Sequence, residues 1–376
     1  MKSGIFKRTA IVASLATLGF AAHAEGFYFY ALVDGGIANT KVTGGTANLG
    51  TTTEFITGGY APTFAGIKGE KSMDGVTGGF QLEQGFLLNP SSSTSNWGYG
   101  ATNSLFNRQA NLFVSGNFGK VTIGTQSNIA FDSVLKVDPR AGSNFGSGLA
   151  AVSADGPLST VDVGALSYTS PTVSNVTAGF SFVPDTVAGT NGTSNGSNNS
   201  GARAAVTYGV KGLTLTAATF ENHSNGLQTQ KGTVAGGAYT LGDATLKALY
   251  ASEVSPTFTG LRTTGVGGSY AINAKTVLDL GSYTTTDSAT SYKMNTLGLG
   301  VQYEMFKGLK AYGQVASVKN ASGAATPAYK GNYDFVSYVP NQYGNGNSGL
   351  AQTAPGSIAT GQTAQTINIG LLYAFF

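Results

Sequence analysis

The sequence predicts an all-β protein, a transmembrane antiparallel β-barrel of about 16 strands with one long joint folded inward. Three observations predict it. The closing stretch alternates with the period of a strand. Charge is scarce, yet outside the leader no apolar run is long enough for a membrane helix. The joints between alternating segments come in two lengths.

The closing stretch, residues 367–376, reads INIGLLYAFF. Ile367, Ile369, Leu371, Tyr373 and Phe375 share one face, and Asn368, Gly370, Leu372 and Ala374 share the other. The first face is large, apolar and aromatic at its end, as lipid requires; the second is small and mixed, as a wet or filled interior requires. A strand crosses a bilayer only where every N–H and C=O has a partner, so the stretch implies a closed barrel. The same dyad period recurs. Leu297, Leu299, Val301, Tyr303 and Met305 alternate with Thr296, Gly298, Gly300, Gln302 and Glu304. Val206, Tyr208 and Val210 alternate with Ala205, Thr207 and Gly209, and residues 76–88 follow the same rule.

Charged residues make up 10% of the chain, against roughly 25% in soluble domains, while mean hydropathy is +0.02. Glycine (55), tyrosine (18) and phenylalanine (21) fill the difference, which suits an outer-membrane barrel better than a secreted β-adhesin. Cysteine is absent, so no disulfide framework supports the exported chain. The first 24 residues combine Lys2, Lys7 and Arg8, a short apolar core over residues 11–22, and Ala22-His23-Ala24. That is a cleavable signal peptide, which leaves residues 25–376 as one barrel. The leader carries three of the 21 basic residues and none of the 18 acidic ones, so the remainder is formally neutral at 18 against 18. Basicity therefore gives no support to nucleic-acid binding.

The short joints are 117–119, 210–212, 241–243, 273–275 and 307–308, each the length of a tight turn. The long ones, 89–103, 184–201 and 320–365, are rich in Ser, Asn, Gly and Thr. Short turns at one rim and long loops at the other are the barrel pattern. At about 22 residues per strand and joint, the chain without its leader holds about 16 strands.

One joint differs. Alternation stops after Gln126 for about 35 residues, and the segment holds Ile129, Phe131, Val134, Leu135, Val137, Phe145 and Leu149. Those side chains gain by burial against a barrel wall and gain nothing in water. The segment also carries Asp132, Asp138 and Asp155 against Lys136 and Arg140.

With these elements in place the chain resembles the general diffusion porins of Gram-negative outer membranes, the trimeric 16-stranded kind. Residues 29–36 (FYALVDGG) resemble the family's first strand, and the region 64–83, containing GIKGEKSMDGVTGGFQLE, resembles the second and third. Residues 108–126 (RQANLFVSGNFGKVTIGTQ) are the most specific match. Residues 270–283 resemble a late hairpin, and 369–375 the C-terminal signature. The resemblance implies a homotrimer in the outer membrane among lipid and lipopolysaccharide, inserted by the barrel-assembly machinery through Tyr373, Phe375 and Phe376. It also implies that the segment after Gln126 is a constriction loop facing a basic wall. Arg108 stands at one of the family's arginine positions and Lys68 at a basic one. Phe64 replaces another arginine, residues 166–171 lack the usual basic residue, the loop lacks a PEFGG-like sequence, and Phe376 is an extra terminal residue. These departures imply mild selectivity.

The candidate constriction residues are Arg108, Lys68, Asp132, Asp138, Asp155 and Glu83. Arg108 either attracts anions or is tied to a loop carboxylate; Lys68 stands either at the constriction or near the short-turn rim. Glu83 and Asp34 fall on the polar parity of their strands, as do Arg203 and Lys310, and a charge on the lipid side costs up to about 2–4 kcal/mol. Gln109, Asn111 and Ser115 share a parity with Phe113, which implies either a subunit-packing face or a bulge.

Outside the leader His223 is the one histidine, in the polar stretch ENHSNG, and it gives little basis for Ser–His–acid catalysis. Zinc sets and phosphate-binding loops are missing from the sequence, so neither an enzyme nor a cofactor is expected. The expected function is a passive, weakly selective channel for small hydrophilic solutes and ions. The alternatives are a substrate-specific porin and a structural or adhesive barrel using the Tyr-rich residues 329–343.

Overall fold

Alternation sorts the side chains to two sides of a closed wall, and the wall positions everything else. The computed structural model describes residues 26–44, 51–88, 105–149, 152, 158–184, 200–223, 229–254, 260–287, 293–322 and 361–375. The leader, Asp155, Trp97, Phe376, residues 329–343 and most of the long polar joints lie outside the described residues.

In chain order the wall runs β1 (Gly26–Thr43), β2 (Thr51–Thr57), β3 (Phe64–Met73), β4 (Val76–Gly85), β5 (Gln109–Gly116) and β6 (Gly119–Ser127). A helix, α1 (Ile129–Val137), interrupts it. Then follow β7 (Val161–Thr169), β8 (Val176–Val183), β9 (Ser200–Val210), β10 (Leu213–His223), β11 (Gln230–Leu241) and β12 (Ala244–Val254). The last five are β13 (Leu261–Ala271), β14 (Thr276–Asp287), β15 (Lys293–Phe306), β16 (Leu309–Ser322) and β17 (Thr363–Phe375). Neighbours pair antiparallel, and β17 returns to β1 in register from Ala31 opposite Phe375 to Thr43 opposite Thr363. No sheet edge is left open, which a bilayer demands.

The described segments number seventeen but the staves number sixteen, as expected from length. β1 is 18 residues long and pairs on its other edge with two segments. Its residues 26–32 face β3 and its residues 35–41 face β2. β2 and β3 are thus two halves of one stave, broken at residues 58–63.

The short turns gather at one rim. At the β3–β4 turn Asp74 (φ 50°) and Gly75 (φ 78°) both adopt positive φ, the condition for a two-residue turn whose twist matches its strands. Lys211 (φ 32°) and Gly212 (φ 85°) do the same between β9 and β10.

Ile367, Ile369, Leu371, Tyr373 and Phe375 are all exposed on the outer surface, while Asn368 and Leu372 are buried behind them. Leu297, Leu299, Val301, Tyr303 and Met305 repeat this on β15. Among the described residues no helix is long and apolar enough to cross a membrane; the strands do the crossing. The mixed face of β5 is a correction to the expectation from sequence. Gln109, Asn111 and Phe113 point into the lumen, and β5 pairs with β4 and β6 without a register shift. Phe113 belongs there because two ammonium groups, those of Lys68 and Lys120, lie 5.4 and 4.4 Å from its ring centroid.

Candidate functional site

The segment between β6 and β7 turns into the barrel. The Asn128 side chain starts α1 by accepting hydrogen bonds from the amides of Ala130 and Phe131. Asp132 in the first turn and Lys136 in the last complement the helix dipole. The helix ends at Asp138, which precedes Pro139 and is extended (ψ 125°), as a residue before proline prefers. One face of α1, with Ala130, Phe131, Val134 and Val137, packs on Ala218 and Phe220 of β10, Val234 of β11, and Leu249 and Ala251 of β12. Burying side chains of that size stabilises the docked loop by about 1.5–3 kcal/mol each. At the base, Asn128 Nδ2 donates to Asp162 Oδ1 (3.1 Å), and Asp162 pairs with Arg203 (3.0 Å).

Beyond α1 the chain crosses to the far wall. Asp138 is fully buried and turned into the loop itself, where its carboxylate accepts from the amides of Arg140 (3.1 Å), Gly142 (2.8 Å) and Gly148 (2.9 Å). Arg140, 1% exposed, reaches the barrel wall. Its Nε meets Asp279 Oδ1 of β14 at 2.5 Å, its Nη2 donates to Gln314 of β16 at 3.1 Å, and its Nη1 donates to the Phe145 carbonyl. Glycines on β15 make the slot. A Cβ on Gly298 would stand 2.7 Å from Arg140 Nη1, and one on Gly300 would stand 2.7 Å from Nη2. Ser143 donates to Gln314 as well (2.8 Å).

The break in the second stave meets the loop from the other side. Asp34 is buried in β1, and its Oδ2 accepts from the amides of Tyr60 (2.7 Å) and Ala61 (2.6 Å), while Oδ1 accepts from the Tyr312 hydroxyl (2.7 Å). Residues 58–63 are thereby held inward. The Asn144 amide donates to the Tyr60 carbonyl (3.1 Å), the Asn144 side chain donates to the Gly58 carbonyl, and Gln314 Nε2 donates to the Gly59 carbonyl (2.6 Å). Two inward segments thus lock together against β14–β16.

This packing leaves a cavity of about 350 Å³ between the loop and the β3–β7 wall. Arg108, Glu83 and Asp132 line it; Lys68 and Asp138 are not among its lining residues. Arg108 is paired along its own wall, with Nε 3.2 Å from Glu83 Oε2 and its guanidinium 4.3 Å above the Phe64 ring. Glu83 Oε1 also accepts from Tyr30 (2.8 Å) and Gln81 (2.8 Å). Lys68 pairs with Glu70 at 2.7 Å, four residues farther toward the short-turn rim than Phe64, which starts the β3–β1 contact opposite Leu32. Asp132 faces the cavity from the loop and accepts from the Ser127 hydroxyl at 2.5 Å. Burial pushes its carboxyl up to about 6 against the opposing pull of Ser127 and Lys136.

Arg140, Asp34 and Tyr60 carry the architecture without having been marked out by sequence as constriction residues. The signal was a charge inside an apolar joint for Arg140, and a charge on lumen parity for Asp34. Among the described residues no group of three His, Cys, Asp or Glu side chains could hold a metal ion. His223 sits half-exposed at the end of β10, with Glu221 at 3.1 Å and Thr229 at 3.1 Å.

Residues 9–323 match the Gram-negative porin family. No curated protein sequence matches the chain. Among solved structures it is similar to the anion-selective porin from Comamonas acidovorans, at TM-score 0.72 and 18% identity over 93% of this chain and 100% of that one. It is similar to the Salmonella typhi OmpF complex with daunomycin at TM-score 0.64 and 16% identity, over 94% and 98%. It is similar to a trimer form of OmpT from Vibrio cholerae at TM-score 0.62 and 16% identity, over 94% and 100%. At these identities the likeness is one of fold.

Proposed function

The chain belongs to the Gram-negative porin family, and from that premise we propose that three copies assemble into a set of passive, weakly selective channels for small hydrophilic solutes and ions. The protein is an outer-membrane diffusion channel. The observation that carries the weak selectivity is the pairing of charge within the wall. Arg108 is answered by Glu83 at 3.2 Å on its own side of the lumen, so little of its field crosses the passage. Solutes move down their gradients, sieved by the space the loop leaves, and no cofactor or chemical step is assigned.

The trimer form among the similar structures supports the trimer. Export through a signal peptide cleaved after Ala24 follows from residues 1–24. The outward aromatics Tyr373 and Phe375, with Phe376 after them, are the segment offered to the barrel-assembly machinery, and the apolar outer surface meets lipid and lipopolysaccharide.

The test is a planar-bilayer recording of the purified protein. Stepwise conductance closing in threes, with a small reversal potential in a salt gradient, is the expected result. A folded protein without conductance overturns the channel, and near-ideal permselectivity of either sign overturns the weak selectivity.

A further inference from the structure

The two sides of the passage differ in chemistry. On the barrel side stand Arg108, Gln109, Asn111, Lys120, Thr122 and Ser167, cations, amides and hydroxyls interrupted by the Glu83 carboxylate that pairs with Arg108 and by the Phe64 ring beneath it. Gln109, Asn111, Lys120, Thr122 and Ser167 share this side because inward positions repeat every second residue on β5, β6 and β7, with Phe113 opposite Thr122 and Thr122 opposite Ser167, and Arg108, the residue before β5, joins them. On the loop side stand Ile129, Phe131, Leu135 and Leu149, joined by Pro62 from the inward break in the second stave. Among the described residues, Ser127, Asp132 and Thr160 interrupt that side with polar groups. Leu135 lies one turn beyond Phe131 at the edge of the packed cluster, touching it on one side while remaining partly exposed to the passage. The apolar content of the loop thus serves two purposes at once: it fastens α1 to the wall, and the edge of the same cluster lines the route.

We propose that this passage prefers amphipathic organic anions, a compact carboxylate head with a short aliphatic or aromatic tail, over polyhydroxylated anions of the same charge and carbon count. The inference rests on the channel reading and names its favoured solute class. A carboxylate directed at the barrel side meets Arg108 and Lys120 with hydrogen-bond donors around them. A tail directed at the loop side meets Leu135 and its neighbours and leaves water that it had ordered. A polyol in the same space turns hydroxyls toward carbon and loses their water partners without replacement. Each such hydroxyl slows passage by a factor on the order of ten.

Bi-ionic reversal potentials in planar bilayers, with butyrate against 2,3-dihydroxybutyrate and chloride as reference, test the proposal on the full-length protein. Butyrate is expected to be the more permeant, by about tenfold where one of the two hydroxyls of its competitor turns toward carbon and by on the order of a hundredfold where both do. In Leu135→Asn the ratio is expected to fall several-fold, because the size difference between the solutes persists while the apolar side does not. Equal permeation in the unaltered protein, or an unchanged ratio in a folded Leu135→Asn, overturns the proposal. A second measurement does not depend on the variant. Along acetate, propionate, butyrate and valerate, permeability relative to chloride is expected to hold level or rise, and a steep fall with tail length overturns the proposal. Failure of the channel reading is distinguishable, since it removes the chloride conductance as well.

Discussion

Replacing Arg140 by glutamine tests whether the inward loop is fastened at its far end by charge. In the native protein Arg140 Nε stands 2.5 Å from Asp279, with Gln314 and the Phe145 carbonyl holding the rest of the guanidinium. Removing one partner of a buried ion pair costs about 3–5 kcal/mol. Glutamine retains reach for one neutral hydrogen bond, which returns about 1 kcal/mol. The remaining ~2–4 kcal/mol raises the undocked population of residues 140–148 by about 30- to 900-fold. The α1 cluster on β10–β12 is untouched, so the loop stays inside and only its far part is released. Single-channel recordings of Arg140→Gln are therefore expected to show fast sublevel flicker and a larger mean conductance in a barrel that still forms. Asp279→Asn is expected to behave alike, and the double variant to lose less than the two single losses combined, because neither charge is then left alone. Arg140→Gln channels as quiet as the native ones, with native conductance, would refute the reasoning.

Other consequences follow from the same geometry. Glu83→Gln keeps an acceptor for Tyr30 and Gln81 while releasing Arg108 from its counter-charge; an unanswered charge acts with about 1 kcal/mol at 4 Å in a water-like medium, so the anion-to-cation permeability ratio in a salt gradient is expected to rise about fivefold. Asp132, with its carboxyl at about 6, loses its charge as pH falls from 7 to 5, and anion permeability is expected to gain over that window; Asp132→Asn at pH 7 is expected to match the acid value and show no further change. The sign for stability is opposite to that of a salt-bridged acid: with a folded value above the usual 3.8, stability falls as pH rises from about 4 through about 6, as an acid titration of Asp132→Asn against the native protein by thermal melting checks. Asp34→Ala leaves the Tyr60 and Ala61 amides and the Tyr312 hydroxyl without their acceptor, and the variant is expected to melt earlier and flicker as Arg140→Gln does.

The wall was legible in the sequence because one physical demand repeats along it. Every second residue of β15 and β17 meets lipid, so Leu297 to Met305 and Ile367 to Phe375 write the period in large apolar side chains. Where a lumen residue is itself aromatic the period misleads. Phe113 shares a face with Gln109 and Asn111 because ammonium groups cover its ring, and alternation alone does not distinguish that from a subunit interface. The break in the second stave was equally hidden. Residues 58–63 carry no charge, and what draws them inward is Asp34, some 26 positions earlier and on a different strand. Arg140 stood in view as a loop charge, but the slot that receives it consists of Gly298 and Gly300, where the informative feature is a missing side chain. Pairings across more than 100 positions, such as Arg140 with Asp279 and Gln314, depend on closure of the barrel and leave no local trace.

The placement of charge decides what kind of filter this is. Arg108 and Glu83 answer each other along one wall, Lys68 answers Glu70 nearer the short-turn rim, and Asp138 and Arg140 are spent inside the loop and its seat. Within the cavity that leaves Lys120 on the barrel side and Asp132 on the loop side as the charges not already bound in a close ion pair with another lining residue. One charge on each side is too sparse to set up a strong field across the passage, especially when the Asp132 carboxyl titrates near 6. With charge so muted, discrimination passes to the contrast between an amide- and hydroxyl-lined wall and an apolar loop. Solutes of equal charge are then separated by where their carbon lies, and the side chain whose replacement most directly erases that contrast is Leu135.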